Sequence, residues 1–328
     1  MPPLPMPVPP HDIPQAPAVT NQPLVAILLG TYEGERFLPA QMNSFARQTH
    51  RRWKVWASDD GSKDGTRAIL ERYKEHWSDE RLSIIAGPRA GFVANFMKLT
   101  CNPEIAADHY AYADQDDLWE GDKLARAVTW LETVPHDVPA LYMSRTRLID
   151  EDDRELGFAP LFTTRPPSFA NAMVQNIGGG NTMVLNSAAR ALLQTASTDV
   201  KVVSHDWWAY MLVTGAGGRA FYDPYPGVRY RQHRANVVGS NAGFLARLRR
   251  GGLVFAGRFK NWGAINMQAL AQTHARLTPE NRRIFDDFSA ARTGSLPARL
   301  LALRRSGVHR QGFVDNIGLY VAALFNRL

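Results

Sequence analysis

Apolar and polar positions alternate between two periods along the first half of the chain. Leu24 to Leu29 is an unbroken apolar run that meets Gly30-Thr31-Tyr32-Glu33-Gly34, which predicts a strand entering a loop. From Arg36 to Arg47 the apolar residues Phe37, Leu38, Met42 and Phe45 fall at helical spacing. The unit then repeats. Trp53 to Ala57 reads as a strand, Asp59 to Gly65 as a turn cluster, and Thr66 to Trp77 as a helix carrying Ala68, Ile69, Leu70 and Tyr73. Leu82 to Ala86 supplies a third strand, Phe92 to Cys101 a helix and Tyr110 to Ala113 a short strand that runs into acidic residues. Strands alternating with helices at this spacing predict an α/β fold, a mainly parallel sheet with helices on both faces. In such sheets ligands bind beyond the carboxyl ends of the strands, where each polar cluster of this chain falls.

Further strands are expected in 140–155 and 181–186, helices at Ser187 to Thr195 and His205 to Val213, and a returning strand from Arg219 to Tyr230. After Asn241 the pattern changes to Leu- and Arg-rich helices broken by Gly251-Gly252, Pro279 and Pro297. The expected organisation is a leader over 1–23, a catalytic unit over 24–241 and a basic helical region over 242–328. The leader holds 9 prolines, one acidic residue and no basic one, so it reads as disordered and lacks the charged start and apolar middle of a secretion signal. The late apolar run Ile317 to Phe325 is about half of the roughly 20 residues that a spanning helix needs, so no membrane span is expected.

Composition narrows the class without naming it. At 45% hydrophobic and 21% charged, the chain can bury a large core. A single cysteine, Cys101, excludes an internal disulfide framework and suits a reducing compartment, so the protein is expected to be cytoplasmic. The net charge of +7 is unevenly placed: residues 242–328 hold 14 Lys and Arg against 4 Asp and Glu, leaving 24 against 27 upstream. Such a tail suits an anionic membrane surface or a nucleic acid, and composition does not separate the two. Leu245, Leu248, Leu253, Val254 and Phe255 beside Arg247, Arg249, Arg250 and Arg258 form an apolar and basic set that would either meet a membrane or dock on the catalytic unit.

No GxGxxG follows the first strand and no GxxxxGK[ST] occurs, so a dinucleotide fingerprint or P-loop is excluded. Two acidic clusters remain. Asp59-Asp60-Gly61-Ser62, with Asp64 and Thr66, is either a turn with a helix cap or part of a site. Asp114-Gln115-Asp116-Asp117 places three carboxylates in four residues, which repel unless a cation or solvent neutralises them. Mg2+ or Mn2+ takes such hard oxygen ligands and accepts substrate phosphates as well.

Thr31-Tyr32-Glu33-Gly34, Asp59-Asp60-Gly61-Ser62 and Asp114-Gln115-Asp116-Asp117, in that order, resemble the sequential motifs of family-2 glycosyltransferases of the GT-A fold. The resemblance continues through Gly179-Gly180-Asn181, Ser204-His205-Asp206-Trp207-Trp208 and Tyr230-Arg231-Gln232-His233. With the basic tail, the last group is similar to the bacterial rhamnosyltransferase-like branch. What this resemblance implies is an inverting, metal-dependent transfer from a dTDP- or UDP-linked sugar, with dTDP-rhamnose the preferred donor, to a glycan or lipid-linked acceptor. Thr31, Tyr32 and Glu33 would surround the base and ribose, Asp60 would accept from the pyrimidine, and Gln115 and Arg231 would complete the donor side; Arg89, between the motifs, either meets a phosphate there or is an exposed arginine after a Gly-Pro turn. Asp114 would lie near the ribose, Asp116 would be the direct metal ligand, and His233 would be a metal or diphosphate ligand, a satisfied structural histidine being its other reading. Asp206 is the implied general base. Histidine at 205 departs from the family's acidic pair and would orient Asp206, contact the acceptor or fill the helix start. Gly179, Gly180, Asn181, Trp207 and Trp208 are implied on the acceptor side, with packing in the core as the other reading of the tryptophans. A nucleotidyltransferase and a catalytically silent membrane- or nucleic-acid-binding protein are the competing classes. The first leaves His205-Asp206 unexplained and the second leaves the ordered acidic motifs unexplained.

Overall fold

The structure, a computed structural model, describes residues 22–196, 200–233 and 260–328. The leader up to residue 21 and the set from Leu245 to Arg258 lie outside the described residues. The first half follows the apolar pattern closely. Strand β1 (Val25–Thr31) is buried almost throughout, as expected of a central strand covered on both faces. It lies parallel to β2 (Trp53–Asp59) on one side and β4 (His109–Asp114) on the other, and β2 continues to β3 (Leu82–Ala86). Register brings three polar strand ends level: Thr31 pairs with Asp59, and Gly30 with Asp114.

Helices α1 (Leu38–Ala46), α2 (Thr66–Trp77) and α4 (Lys123–Leu131) share one core with the sheet, built on Leu38, Phe45, Ile69, Tyr73 and Leu124. Helix α3 (Phe92–Cys101) packs on the other face with α6 (Ser187–Ala196) and α7 (His205–Gly215), around Phe96, Leu99, Leu193 and Trp208. The four-residue α5 (Phe169–Ala172) lies between them in sequence.

Beyond β4 the sheet becomes mixed. The order of the 9-stranded sheet is β3-β2-β1-β4-β8-β6-β9-β5, with β7 paired to β6. Here β5 is Leu118–Trp119, β6 Ala140–Ile149, β7 Glu155–Phe158, β8 Val184–Asn186 and β9 Arg219–Arg231. The region 140–155 resolves into β6 and the start of β7, joined by a turn in which Asp153 takes a positive φ. Residues 180–182 form a single 3-10 turn rather than the start of β8, because the chain swings there toward α7. The parallel pair β6 and β9 carries Arg231 and His233 toward the acidic end of β4.

The described part of the tail consists of α8 (260–272), α9 (Pro279–Thr293), α10 (Leu296–Ser306) and α11 (Phe313–Leu324). It docks on the catalytic unit: Leu277, Phe285, Phe288 and Leu303 join the core of α3, α6 and α7. Thr278 N donates to Gly215 O at 3.0 Å, and Asn281 Nδ2 to Thr214 O at 3.0 Å, satisfying carbonyls at the end of α7. No helix among the described residues is long and apolar enough to cross a membrane.

Candidate active site

The loop after β1 and the loop after β2 are tied into one frame by side chains that bond to backbone. Thr31 Oγ1 donates to Asp59 Oδ1 at 3.3 Å, and Asp59 receives Ser62 Oγ at 2.5 Å and Ser62 N at 3.2 Å. Glu33, held at φ 50°, receives Lys63 N on Oε1 at 2.7 Å while its own N donates to Ser62 Oγ. Asp64 accepts from Glu35 N and from Thr66 N, so it braces the loop, and Gly65 takes the N-cap of α2. Asp60 is buried. Its Oδ1 accepts from Arg89 N at 2.6 Å and its Oδ2 from Gly91 N at 2.8 Å, which fixes the turn before α3. Arg89 sits at φ 58° with its side chain crossing Gly61, where no Cβ intervenes. Gln115 donates to Tyr32 O at 2.7 Å and accepts from Tyr32 N at 2.8 Å, leaving the Tyr32 ring exposed. A side chain on Gly34 would collide with that Gln115 amide, which explains glycine there.

The end of β4 is built differently. Asp114 meets solvent along one edge, yet burial, then Asp116 and Asp206, push its carboxyl up to about 8. Asp116 Oδ2 lies 2.6 Å from His233 Nε2, and His233 stacks on Phe37 with ring centroids 5.3 Å apart. Asp117 turns inward: fully buried, it accepts from Asn181 Nδ2 at 2.5 Å and from Arg231 N at 3.1 Å. Burial pushes the nearby Lys123 ammonium down against the opposing pull of Asp117, and Nζ rests 3.3 Å from the centroid of the Trp119 ring.

Asp206 occupies the first turn of α7, where the positive end of the helix stabilises a carboxylate. Its Oδ2 accepts from Asn176 Nδ2 and Gly180 N, each at 3.0 Å, and its Oδ1 from Trp207 N at 2.7 Å. His205 is buried among aromatic rings, stacked on Phe96 at 4.0 Å and edge-on to Tyr112 at 4.8 Å. Burial pushes its pKa down to about 4 against the pull of Asp206, so the ring is neutral near pH 7. Neither ring nitrogen makes a hydrogen bond among the described residues, and Nε2 sits 2.5 Å from where a Cβ on Gly180 would lie. A pocket of about 170 Å³ opens beside Asn176 and Gly179, lined also by Ser144, Thr146, Phe162 and Tyr222.

Several positions expected to meet ligand do other work. Trp208 is 0% exposed, and Trp207 is buried with its indole N–H on Ala172 O at 2.7 Å, so neither ring offers a face to an acceptor. Asn181 points into the protein at Asp117 rather than outward. Arg231 is 2% exposed. Its guanidinium donates to Asp116 O at 2.9 Å and Asp150 O at 3.0 Å and pairs with Asp153, so it clamps the 150–153 turn to the acidic loop. Asn176, which orients Asp206, and Phe37, which supports His233, were not singled out in sequence. A lone loop asparagine carries no pattern, and Phe37 reads as ordinary helix core.

The donor set fits a divalent cation completed by substrate. Among the described residues no group of three or more His, Cys, Asp or Glu is arranged to hold a metal, but Asp116 and His233 converge, and a cation beside Asp114 would favour the ionised form that burial, Asp116 and Asp206 oppose. Mg2+ is commonly held by one or two carboxylates plus phosphate oxygens and water.

A family model for glycosyl transferase family 2 matches residues 26–193. The chain is 26% identical over 235 residues to dTDP-rhamnosyl transferase RfbG of Shigella flexneri, covering 69% of this chain and 78% of that protein. It is 28% identical over 109 residues to the Escherichia coli UDP-Glc:alpha-D-GlcNAc-diphosphoundecaprenol beta-1,3-glucosyltransferase WfgD, covering 33% of this chain and 41% of that protein. Among solved structures, S. aureus TarS 1-349 in complex with UDP-GlcNAc aligns with TM-score 0.55 at 14% identity, over 88% of this chain and 82% of that one. That likeness is one of fold, the GT-A arrangement expected from the ordered motifs.

Proposed function

The chain belongs to glycosyl transferase family 2, and from that premise we propose that it moves rhamnose from dTDP-rhamnose to a hydroxyl of a glycan or lipid-linked acceptor, inverting the anomeric centre. The activity itself is nucleotide-sugar glycosyl transfer in cell-surface polysaccharide synthesis. The sugar, the metal dependence, the acceptor and contact of the basic tail with an anionic membrane are the proposed parts.

The observation that carries the reading is the meeting of Asp114, Asp116 and Asp206 at the ends of β4 and α7, with Asp206 oriented by three N–H donors. On the donor side the base lies against the exposed Tyr32 ring, between Thr31 and Glu33. Each Asp60 oxygen accepts one backbone N–H and keeps a lone pair for a pyrimidine N–H. Asp114 faces the ribose, and Arg89 reaches toward the diphosphate. Asp116 and His233 would hold Mn2+ or Mg2+, which supplies positive charge beside the leaving phosphate when bound. Arg231 acts by fixing the backbone of Asp116.

The acceptor sugar enters the pocket beside Asn176 and Gly179, where Phe162 and Tyr222 offer apolar surface and Ser144 and Thr146 offer hydroxyls. Asp206 takes the proton of the attacking hydroxyl as its oxygen bonds to the anomeric carbon. The bond from that carbon to the phosphate oxygen breaks, and the nucleoside diphosphate leaves with the electron pair. His205, buried and neutral near pH 7, packs beneath Gly180 and sets the position of the Asp206 turn.

The test is a panel of nucleotide sugars screened for protection against thermal unfolding, with and without Mn2+, because a ligand that binds the native state raises its midpoint by mass action. dTDP-rhamnose is expected to give the largest shift and to require the cation. Stabilisation by a different sugar would replace the donor assignment. No stabilisation by any nucleotide sugar would overturn the reading.

A further inference from the structure

Helix α11 buries Leu319 and Ala323, and the Ala323 carbonyl receives Arg299 Nη1 of α10 at 2.8 Å. The side turned away from that contact is apolar and open. Phe313, Val314, Ile317, Tyr320, Val321 and Leu324 are all exposed, and their spacing places them on one continuous stripe of about 120° over three turns. Phe325 continues the stripe past the helix end; Phe313 and Phe325 are 81% and 71% exposed. Isolated apolar residues are common on soluble surfaces, whereas a contiguous stripe marks an interaction surface.

The charge around the stripe indicates its partner. Exposed Arg304, in the last turn of α10, precedes it, and exposed Arg327 follows it. The only acidic residue of α11, Asp315, lies on the far side of the helix, 4.0 Å from Arg310 Nε. We propose that the α11 stripe lies flat on an anionic membrane surface, with its apolar side chains at the headgroup boundary and Arg304 and Arg327 against lipid phosphates. The 12-residue helix is too short to span, so it lies along the surface. A second copy fits less well, because two-fold antiparallel pairing of stripes would oppose the Arg304 end of one copy to the Arg327 end of the other, cation against cation. This inference deepens the reading of the basic tail as membrane-facing, assigns it to residues other than the Leu245 to Arg258 set, and does not depend on the sugar chemistry.

The experiment is sedimentation of the full-length chain with vesicles of phosphatidylcholine alone or mixed with phosphatidylglycerol. Wild type is expected to pellet with the anionic vesicles and to be released as salt rises from about 0.1 M to about 1 M, which shortens the screening length from about 10 Å to about 3 Å. Ile317→Glu with Val321→Glu is expected to lower recovery at least tenfold. Arg304→Gln with Arg327→Gln is expected to remove the preference for anionic lipid. Melting by far-UV circular dichroism checks each fold without any donor, so failure of this inference and failure of glycosyl transfer are read separately. Should the glutamate pair not fold, Phe313→Ser with Phe325→Ser carries the test at the two most open positions. Equal recovery of wild type and the stripe variants, equal binding to both lipids, or no recovery at all overturns the proposal. A wild-type solution mass twice that of the stripe variant also overturns it, and assigns the stripe to a second copy.

Discussion

Asp59-Asp60 and Asp114-Asp116 are both acidic pairs at the ends of parallel strands, β2 and β4, that flank β1, yet they are held in opposite ways. Every oxygen of the first pair has a hydrogen-bond donor from the protein: Ser62, Thr31, Arg89 N and Gly91 N meet them within 3.3 Å. The second is crowded by its own kind, with burial, Asp116 and Asp206 all opposing the charge on Asp114. A carboxylate that organises a loop can be satisfied inside the protein. One that receives a cation and a diphosphate must be left wanting them. The difference separates the frame of the site from its reacting edge.

The contrast can be broken first at the proton acceptor. Asp206→Asn keeps the size of the side chain and removes the basic oxygen, so turnover should fall about 10² to 10⁴-fold while the donor KM changes little. Steady-state release of nucleoside diphosphate measures both, and a collapse of donor affinity with turnover intact would make Asp206 a binding residue.

The second prediction concerns His205. Its folded pKa of about 4 lies below the ordinary 6.5, so the unfolded chain binds the proton more readily between those values. The stability it contributes is present above pH 6.5 and is lost as pH falls through about 4, by up to about 3 kcal/mol. Urea unfolding at a series of pH values should show a shallower acid loss in His205→Leu than in wild type, and parallel profiles would remove His205 as the source.

The smallest effect is expected on the frame. Asp60→Ala leaves Arg89 N and Gly91 N without their acceptor and should cost about 1 to 3 kcal/mol. A thermal midpoint unchanged from wild type would show that the loop does not depend on that carboxylate.

Much of this frame was legible in the sequence because it rests on short-range periodicity. The run Leu24 to Leu29 and the helical spacing of Ile69, Leu70 and Tyr73 decide strand and helix locally, and the acidic motifs sit at the strand ends as expected. Helix α4 is not among the expected elements, although Leu124, Ala127, Val128 and Leu131 carry the same helical spacing. What could not be read is the direction in which a side chain turns. Asp116 and Asp117 are adjacent and chemically identical, yet one meets His233 and the other is sealed beneath Asn181 and Arg231. Arg231 is two residues before His233 and shares its face of an extended segment, which suits the donor side, but its guanidinium is taken up by the carbonyls of Asp116 and Asp150 and by Asp153. The tryptophans after Asp206 were similarly ambiguous, because a helix start with one wet and one buried side admits either reading until α5 and α8 cover it.

The claim that the β4 edge is held against its own charge for the sake of the reaction is tested most directly by Asp114→Asn, followed by thermal midpoint and turnover on the same protein without and with Mn2+. Replacing one of the crowded carboxylates with a neutral near-isostere should leave the metal-free midpoint equal to or above that of wild type while turnover with dTDP-rhamnose is lost. A lowered midpoint with turnover retained would contradict the account, because Asp114 would then belong to the frame.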